Sequence, residues 1–165
     1  MDAEKRYRQD LLFVILATPA QKGAILVLCL LTLMNMTKIN LEAIARIESS
    51  GNAKAFNWKT KATGLFQITP ICLKDWNACH PAGPVYKESD LWDAKVNREI
   101  ADWYLHERIP QMLRFYGIPQ NTENVLIAFN WGIGNLKEHR ESARPLPQET
   151  ANYLTRYNRE LIRGR

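Results

Sequence analysis

Cysteine is scarce in this sequence. Its three thiols, Cys29, Cys72 and Cys79 in 165 residues, are too few for the disulfide framework of a small secreted scaffold. On spacing alone, Cys72 and Cys79 read either as a bridge or as two ordinary half-buried thiols. With His80 they fall short of a zinc site because no fourth ligand follows at a usual spacing. Nothing else in the chain calls for a metal or an organic cofactor. Long basic runs are missing too. The 22 Lys and Arg set against 17 Asp and Glu leave a net charge of +5. They do not cluster among aromatics or form a known module, which speaks against a nucleic-acid partner and suits a polyanionic cell-surface substrate. There is no low-complexity segment and no internal repeat, which excludes fibres and solenoids. What is present is the ordinary composition of one soluble domain, 46% apolar and 24% charged, enough to bury a core.

That average covers two unlike parts. Residues 1–36 hold the apolar stretches Leu11 to Leu16 and Ala24 to Met34, and residues 37–165 mix apolar and charged residues in globular proportions. A membrane span needs roughly 20 apolar residues, whereas Ala24 to Met34 supplies 11. A longer span from Leu11 would carry Lys22 at its centre at a cost of about 3 kcal/mol, with Pro19 and Gln21 beside it. Residues 1–36 therefore read in three ways: a membrane anchor, a secretory signal led by Lys5, Arg6 and Arg8, or an untranslated stretch before a start at Met34 or Met36.

Residues 37–165 read as one compact, mainly α domain with at most a small β element. Thr37 or Asn40 caps a first helix carrying Leu41, Ile44, Ala45 and Ile47, ended by the Ser49-Ser50-Gly51-Asn52 cluster. Pro70 opens a second helix through about Asn77. His80 to Asp90 is loop. A long core helix starts near Asp93 and kinks at Pro110. Asn121 or Thr122 caps another, which ends in a Gly132-Ile133-Gly134 turn, and a last helix runs from about Gln148 to Ile162.

Glu48 is the anomaly in that pattern. It stands four residues after Ile44 and seven after Leu41, so it shares the apolar face of its helix. A carboxyl among apolar side chains at the negative end of a helix resists ionisation and holds its proton near neutral pH. Such a group is a candidate general acid for a glycosidic bond. Asp75, Glu88, Asp90 and Asp93 are candidates for a second carboxylate, but no pattern places any of them opposite Glu48.

Glu48-Ser49-Ser50-Gly51-Asn52, followed by Ala62-Thr63-Gly64-Leu65-Phe66-Gln67-Ile68-Thr69-Pro70, resembles the Glu-Ser and Gly-Leu-Met-Gln motifs of the soluble lytic transglycosylase family. Ala128-Phe129-Asn130-Trp131-Gly132 is similar to its Ala-Tyr-Asn-x-Gly motif, and Pro147 to Tyr153 to its closing Pro-x-x-Glu-Thr-x-x-Tyr segment. The four blocks occur in the family's order over about residues 38 to 160. The resemblance implies a lysozyme-like (α+β, mainly α) fold and cleavage of the β-1,4 bond between N-acetylmuramic acid and N-acetylglucosamine in peptidoglycan, with a 1,6-anhydro ring as product. It further implies that Glu48 is the acid and then the base, and that the sugar's acetamido group takes the place of a second carboxylate. Gln67, Asn130, Tyr153, Glu149, Phe66, Phe129 and Ser49 match positions at or near the family's substrate cleft. Phe66 stands where methionine is usual and keeps an apolar contact; Phe129 stands where tyrosine is usual and lacks its hydroxyl.

Two rival readings follow from the same residues. One is a hydrolase similar to goose-type lysozymes, in which water attacks. The other is a non-catalytic glycan-binding component of a phage particle or a secretion or conjugation apparatus. Either enzyme reading puts the domain where it meets peptidoglycan, periplasmic or membrane-associated, or delivered by a phage.

Overall fold

In the computed structural model residues 38–164 are described, so residues 1–36 and the three readings of them lie outside the described residues. Lys38–Arg165 forms a compact unit of its own. Helix α1, Leu41–Ser49, starts where the Asn40 side chain accepts a hydrogen bond from the Ala43 amide, and it ends at Ser50 in a left-handed conformation. Such an end satisfies the last carbonyls at the price of an unfavourable φ for a residue with a Cβ. Helix α2, Pro70–Cys79, has its proline in the first turn and Thr69 as its cap, as the missing proline N–H favours. It runs two residues beyond the expected Asn77. Cys72 and Cys79 lie on this one helix as free thiols, buried and exposed respectively. Seven residues of rise hold their Cα atoms roughly 10 Å apart, too far to bridge.

The expected loop from His80 holds as far as Lys87 and then ends in a short 3-10 turn, Glu88–Trp92. Helix α3, Ala94–Trp103, is capped by Asp93. The expected kink then takes a specific form: a π-helical turn, Tyr104–Arg108, in which the Ile109 N–H bonds the Tyr104 carbonyl, followed by α4, Ile109–Phe115. Pro110 has no N–H to give, and its ring crowds the carbonyl one turn back, so the ladder widens just ahead of it. Helix α5, Thr122–Trp131, is capped by Asn121. After it, Gly132 is not followed by a loop: α6, Ile133–Ser142, continues the chain, and α7, Gln148–Arg163, closes it. The β content among the described residues is two isolated antiparallel bridges, Phe56 with Thr63 and Thr63 with Ile68.

Ile44, Phe66, Ile68, Ile100, Leu105, Leu126 and Leu136 meet in a continuous core. Helices α1 and α7 pack against each other, and both α6 and α7 pack on α5. Two polar ties fasten α1 to α7. The Asn40 amide donates to the Tyr157 hydroxyl at 2.9 Å, and Arg46 donates to Glu160 at 2.8 Å.

Candidate active site

Ala43, Ile44 and Ala45 bury one face of α1, and Glu48 extends that face into a cleft of about 420 Å³. The floor and walls of the cleft come from the loop before α2, the first turn of α2, the π turn and the end of α5, through Gln67, Thr69, Cys72, Tyr104, Phe129 and Asn130 among others. Glu48 is the one carboxylate lining it among the described residues.

The four candidate second carboxylates lie elsewhere or are occupied. Asp75 accepts two hydrogen bonds from Arg108, each 2.8 Å. Asp90 accepts from the Lys87 amide, Asp93 caps α3, and Glu88 is exposed.

Burial pushes the Glu48 carboxyl up from an ordinary 4.5 to about 7. Three groups modulate that value. The Tyr153 hydroxyl donates to Glu48 Oε1 at 2.7 Å, which favours the ionised form. The Arg156 guanidinium favours it too, and the Glu149 carboxylate opposes it. Desolvation outweighs the hydrogen bond and the guanidinium charge together, so near neutral pH the group is divided between acid and carboxylate. Tyr153 is 1% exposed. Burial and the neighbouring Glu48 raise its own pKa well above 10, so it stays a donor.

The loop bearing Gln67 is folded tightly. Thr63 and Ile68 exchange both backbone hydrogen bonds at 3.0 Å, and the turn between them needs positive φ at Gly64 (80°) and Gln67 (51°). The Gln67 Nε2 donates to the Gly64 and Ala55 carbonyls at 2.9 and 3.2 Å. Its Oε1 has no partner among the described residues. The side-chain amide of Asn130 is likewise without a protein partner there, so the cleft lining carries one free amide oxygen and one free amide group.

Not every residue matched on sequence reaches that cleft. Phe66 is 0% exposed and packs beneath it. Ser49 Oγ, 2.8 Å from the Leu65 carbonyl and 3.2 Å from that of Ala45, pins the end of α1 to the loop and does not line the cavity. Tyr153 reaches Glu48 from below. Glu149 is exposed on α7 and acts on Glu48 through its charge. Phe129 lies on the cleft wall, its ring centroid 6.3 Å from that of Tyr104.

Two parts of the site escaped the sequence reading. Tyr104, from the π turn, is the one phenol lining the cleft among the described residues, and its hydroxyl has no partner there. Burial raises it to about 12, so it is a permanent donor. The turn that carries it is held to α2 by the Asp75–Arg108 pair.

Asn97 is the second. It is fully buried, accepts from the Phe66 amide at 2.8 Å, and donates to the Thr63 and Leu91 carbonyls at 2.8 and 3.0 Å. It clamps the back of the Gln67 loop. Its signal was an asparagine at a core position of an amphipathic helix, where a polar side chain has to be spent on backbone.

Of the remaining candidates, Cys72 is a wall residue whose thiol burial pushes up to about 12, which makes it a poor nucleophile. His106 is half-buried. Its Nδ1 lies 2.6 Å from Asp102, and its Nε2 is buried without a partner. No cluster of metal-binding side chains occurs among the described residues, and no helix among them is long and apolar enough to cross a membrane.

No curated protein and no solved structure matches the chain. The family model described as "Transglycosylase SLT domain" matches residues 34–152, a span that takes in Glu48, the Gln67 loop, Tyr104 and Asn130. A single desolvated acid in a cleft of amide and aromatic groups, on a mainly α scaffold matched over most of its length, makes this chain a member of the SLT transglycosylase family, whose activity is of the lytic transglycosylase type on peptidoglycan.

Proposed function

We propose that this domain cleaves the β-1,4 bond between N-acetylmuramic acid and N-acetylglucosamine, with Glu48 as its one acid and base. The observation that supports this most is the burial of Glu48, which raises its carboxyl to about 7, in a cleft that holds no second carboxylate among its described lining. Glu48 gives its proton to the glycosidic oxygen as the bond from C1 breaks. The resulting carboxylate takes the proton of the muramic C6 hydroxyl, and O6 closes on C1 as a 1,6-anhydro ring. Both half-steps need a group that holds and releases a proton at working pH, which a pKa of about 7 permits. The acetamido group of the sugar shields C1 in place of a second carboxylate.

Gln67 Oε1, the Asn130 amide and the Tyr104 hydroxyl hold the sugar's acetamido and hydroxyl groups. Phe129 offers an apolar face beside them. Tyr153 positions Glu48, and Glu149 tunes it. Ser49 and Phe66 hold the loop at its working distance from α1.

The test is product analysis on purified peptidoglycan. The expected result is anhydro-muramyl ends by mass spectrometry, abolished in Glu48→Gln. Reducing ends alone would assign water as the nucleophile and return the domain to the hydrolase reading. Equal, negligible release by both proteins together with retained glycan binding would make it a binding module.

A further inference from the structure

Trp58 is 79% exposed, an unusual state for the largest apolar side chain. It is not loosely held. The Asn57 side chain accepts from the Lys59 and Thr60 amides at 3.0 and 3.2 Å, and the Lys61 amide returns to the Asn57 carbonyl at 2.7 Å. The indole meets Phe56 edge to face with centroids 4.7 Å apart, and the Lys61 ammonium lies 5.2 Å from its centre. Phe56 is backed in turn by Trp92, 5.7 Å away. The loop thus presents a fixed indole to solvent. The residues on either side of it matter most: Asn57 and Thr60 both line the Glu48 cleft, so the loop is at once the rim of the cleft and the mount of Trp58.

We infer that Trp58 is an outer stacking platform for the glycan strand, holding a sugar ring that has left the cleft over the Asn57–Thr60 rim. This rests on the glycan-cleaving reading above. A cleft of about 420 Å³ falls in the lower part of the usual range for ligand sites, so it encloses only a short stretch of a polymer. The rest of the strand has to cross the rim. An indole face matches the apolar C–H face of a pyranose ring, and the Lys61 ammonium beside it suits the carboxylates that peptidoglycan carries on its muramic acid side chains. Continuity with the cleft and this charge match both favour the substrate's own strand as the occupant.

The test uses the full chain carrying Glu48→Gln, so that nothing is turned over, and titrates it by calorimetry with a trimer and a hexamer of alternating N-acetylglucosamine and peptide-bearing N-acetylmuramic acid. Adding Trp58→Ala is expected to weaken hexamer binding about 3- to 10-fold and to leave trimer binding unchanged, while Trp58→Tyr restores most of the loss. An unchanged melting temperature shows that the exposed substitution leaves the fold intact. Equal hexamer affinity with and without the indole overturns the platform while the cleft reading stands. Failure of the Glu48→Gln chain to bind either oligomer overturns the glycan reading and the platform with it.

Discussion

Glu48 lies between a core that resists its charge and two neighbours that welcome it. Burial raises the carboxyl to about 7, and the Tyr153 hydroxyl and the Arg156 guanidinium hold it from rising further. The Glu48 proton is present below that value and lost above it, so if Glu48 is the general acid as proposed, kcat/KM on soluble glycan is expected to fall as pH rises through about 7. Tyr153→Phe removes a donor that favours the ionised form. Its pH profile should therefore keep its shape and move its alkaline limb to higher pH, with Glu48 then protonated over a wider range. A limb that stays in place would mean that the phenol fills space and does nothing to the proton. The arginine also lies 5.7 Å from the centre of the Tyr153 ring, which keeps its charge close to Glu48 without a direct bond to it.

At the scale of elements, the loop between α1 and α2 decides whether the acid faces anything useful. Gly64 is its most constrained position. Its φ is +80°, and a Cβ there would lie 2.4 Å from Asn97 Nδ2 and 2.5 Å from the Leu91 carbonyl, contacts no neighbouring backbone can absorb. Gly64→Ala should cost about 2 to 4 kcal/mol by urea unfolding, and the surviving folded protein should lose glycan affinity because Gln67 moves with the loop. A loss under about 0.5 kcal/mol, the size of an ordinary surface change, would show that the clamp has slack.

The elements differ in how plainly the sequence announces them. Asn40 and Asn121 were each readable as one of two candidate caps, and Asp93 and the proline opening α2 as approximate helix starts, because each rests on a local hydrogen-bonding need that only a few residue types meet. Glu48 was readable for a related reason: a charged residue on an apolar face breaks a periodic pattern. Helix α6 was not, since it begins with a Gly-Ile-Gly segment that reads as a turn and buries only Leu136, which leaves almost no periodicity to see. The π turn was readable as a kink but not as a widened turn, because periodicity registers a shifted phase and not its hydrogen bonds. Tyr104 therefore stayed in the core helix on paper while it faces the cleft in the fold. Asn97 and Ser49 act through backbone carbonyls far away in sequence, and no local pattern announces those.

For the whole molecule, the raised carboxyl is a cost to stability. In the unfolded chain Glu48 titrates near 4.5 and in the folded one near 7. Across that window the folded state keeps a proton that the unfolded state has released, so stability falls as pH rises and then levels off above about 7. The full effect is at most about 3 kcal/mol. Glu48→Gln removes the dependence. It should raise the melting temperature at pH 8 and change it much less at pH 5, in the same samples that have lost activity. An equal gain at both values would trace the effect to packing instead of ionisation.

The ties between α1 and α7 also set an order in time. Glu48 meets its phenol 105 residues later in the chain, and the ties of Asn40 to Tyr157 and Arg46 to Glu160 span 117 and 114 residues. Contacts this distant form late in folding. On the ribosome the acid, its loop and its cleft walls have all emerged before Tyr153 does, so an incomplete chain carries an acid without its phenol and a first helix without the α7 side of its packing. A chain that stops short of α7 lacks both the hydroxyl and the guanidinium that hold the Glu48 carboxyl near 7, so the acid is set only when the last helix closes on the first.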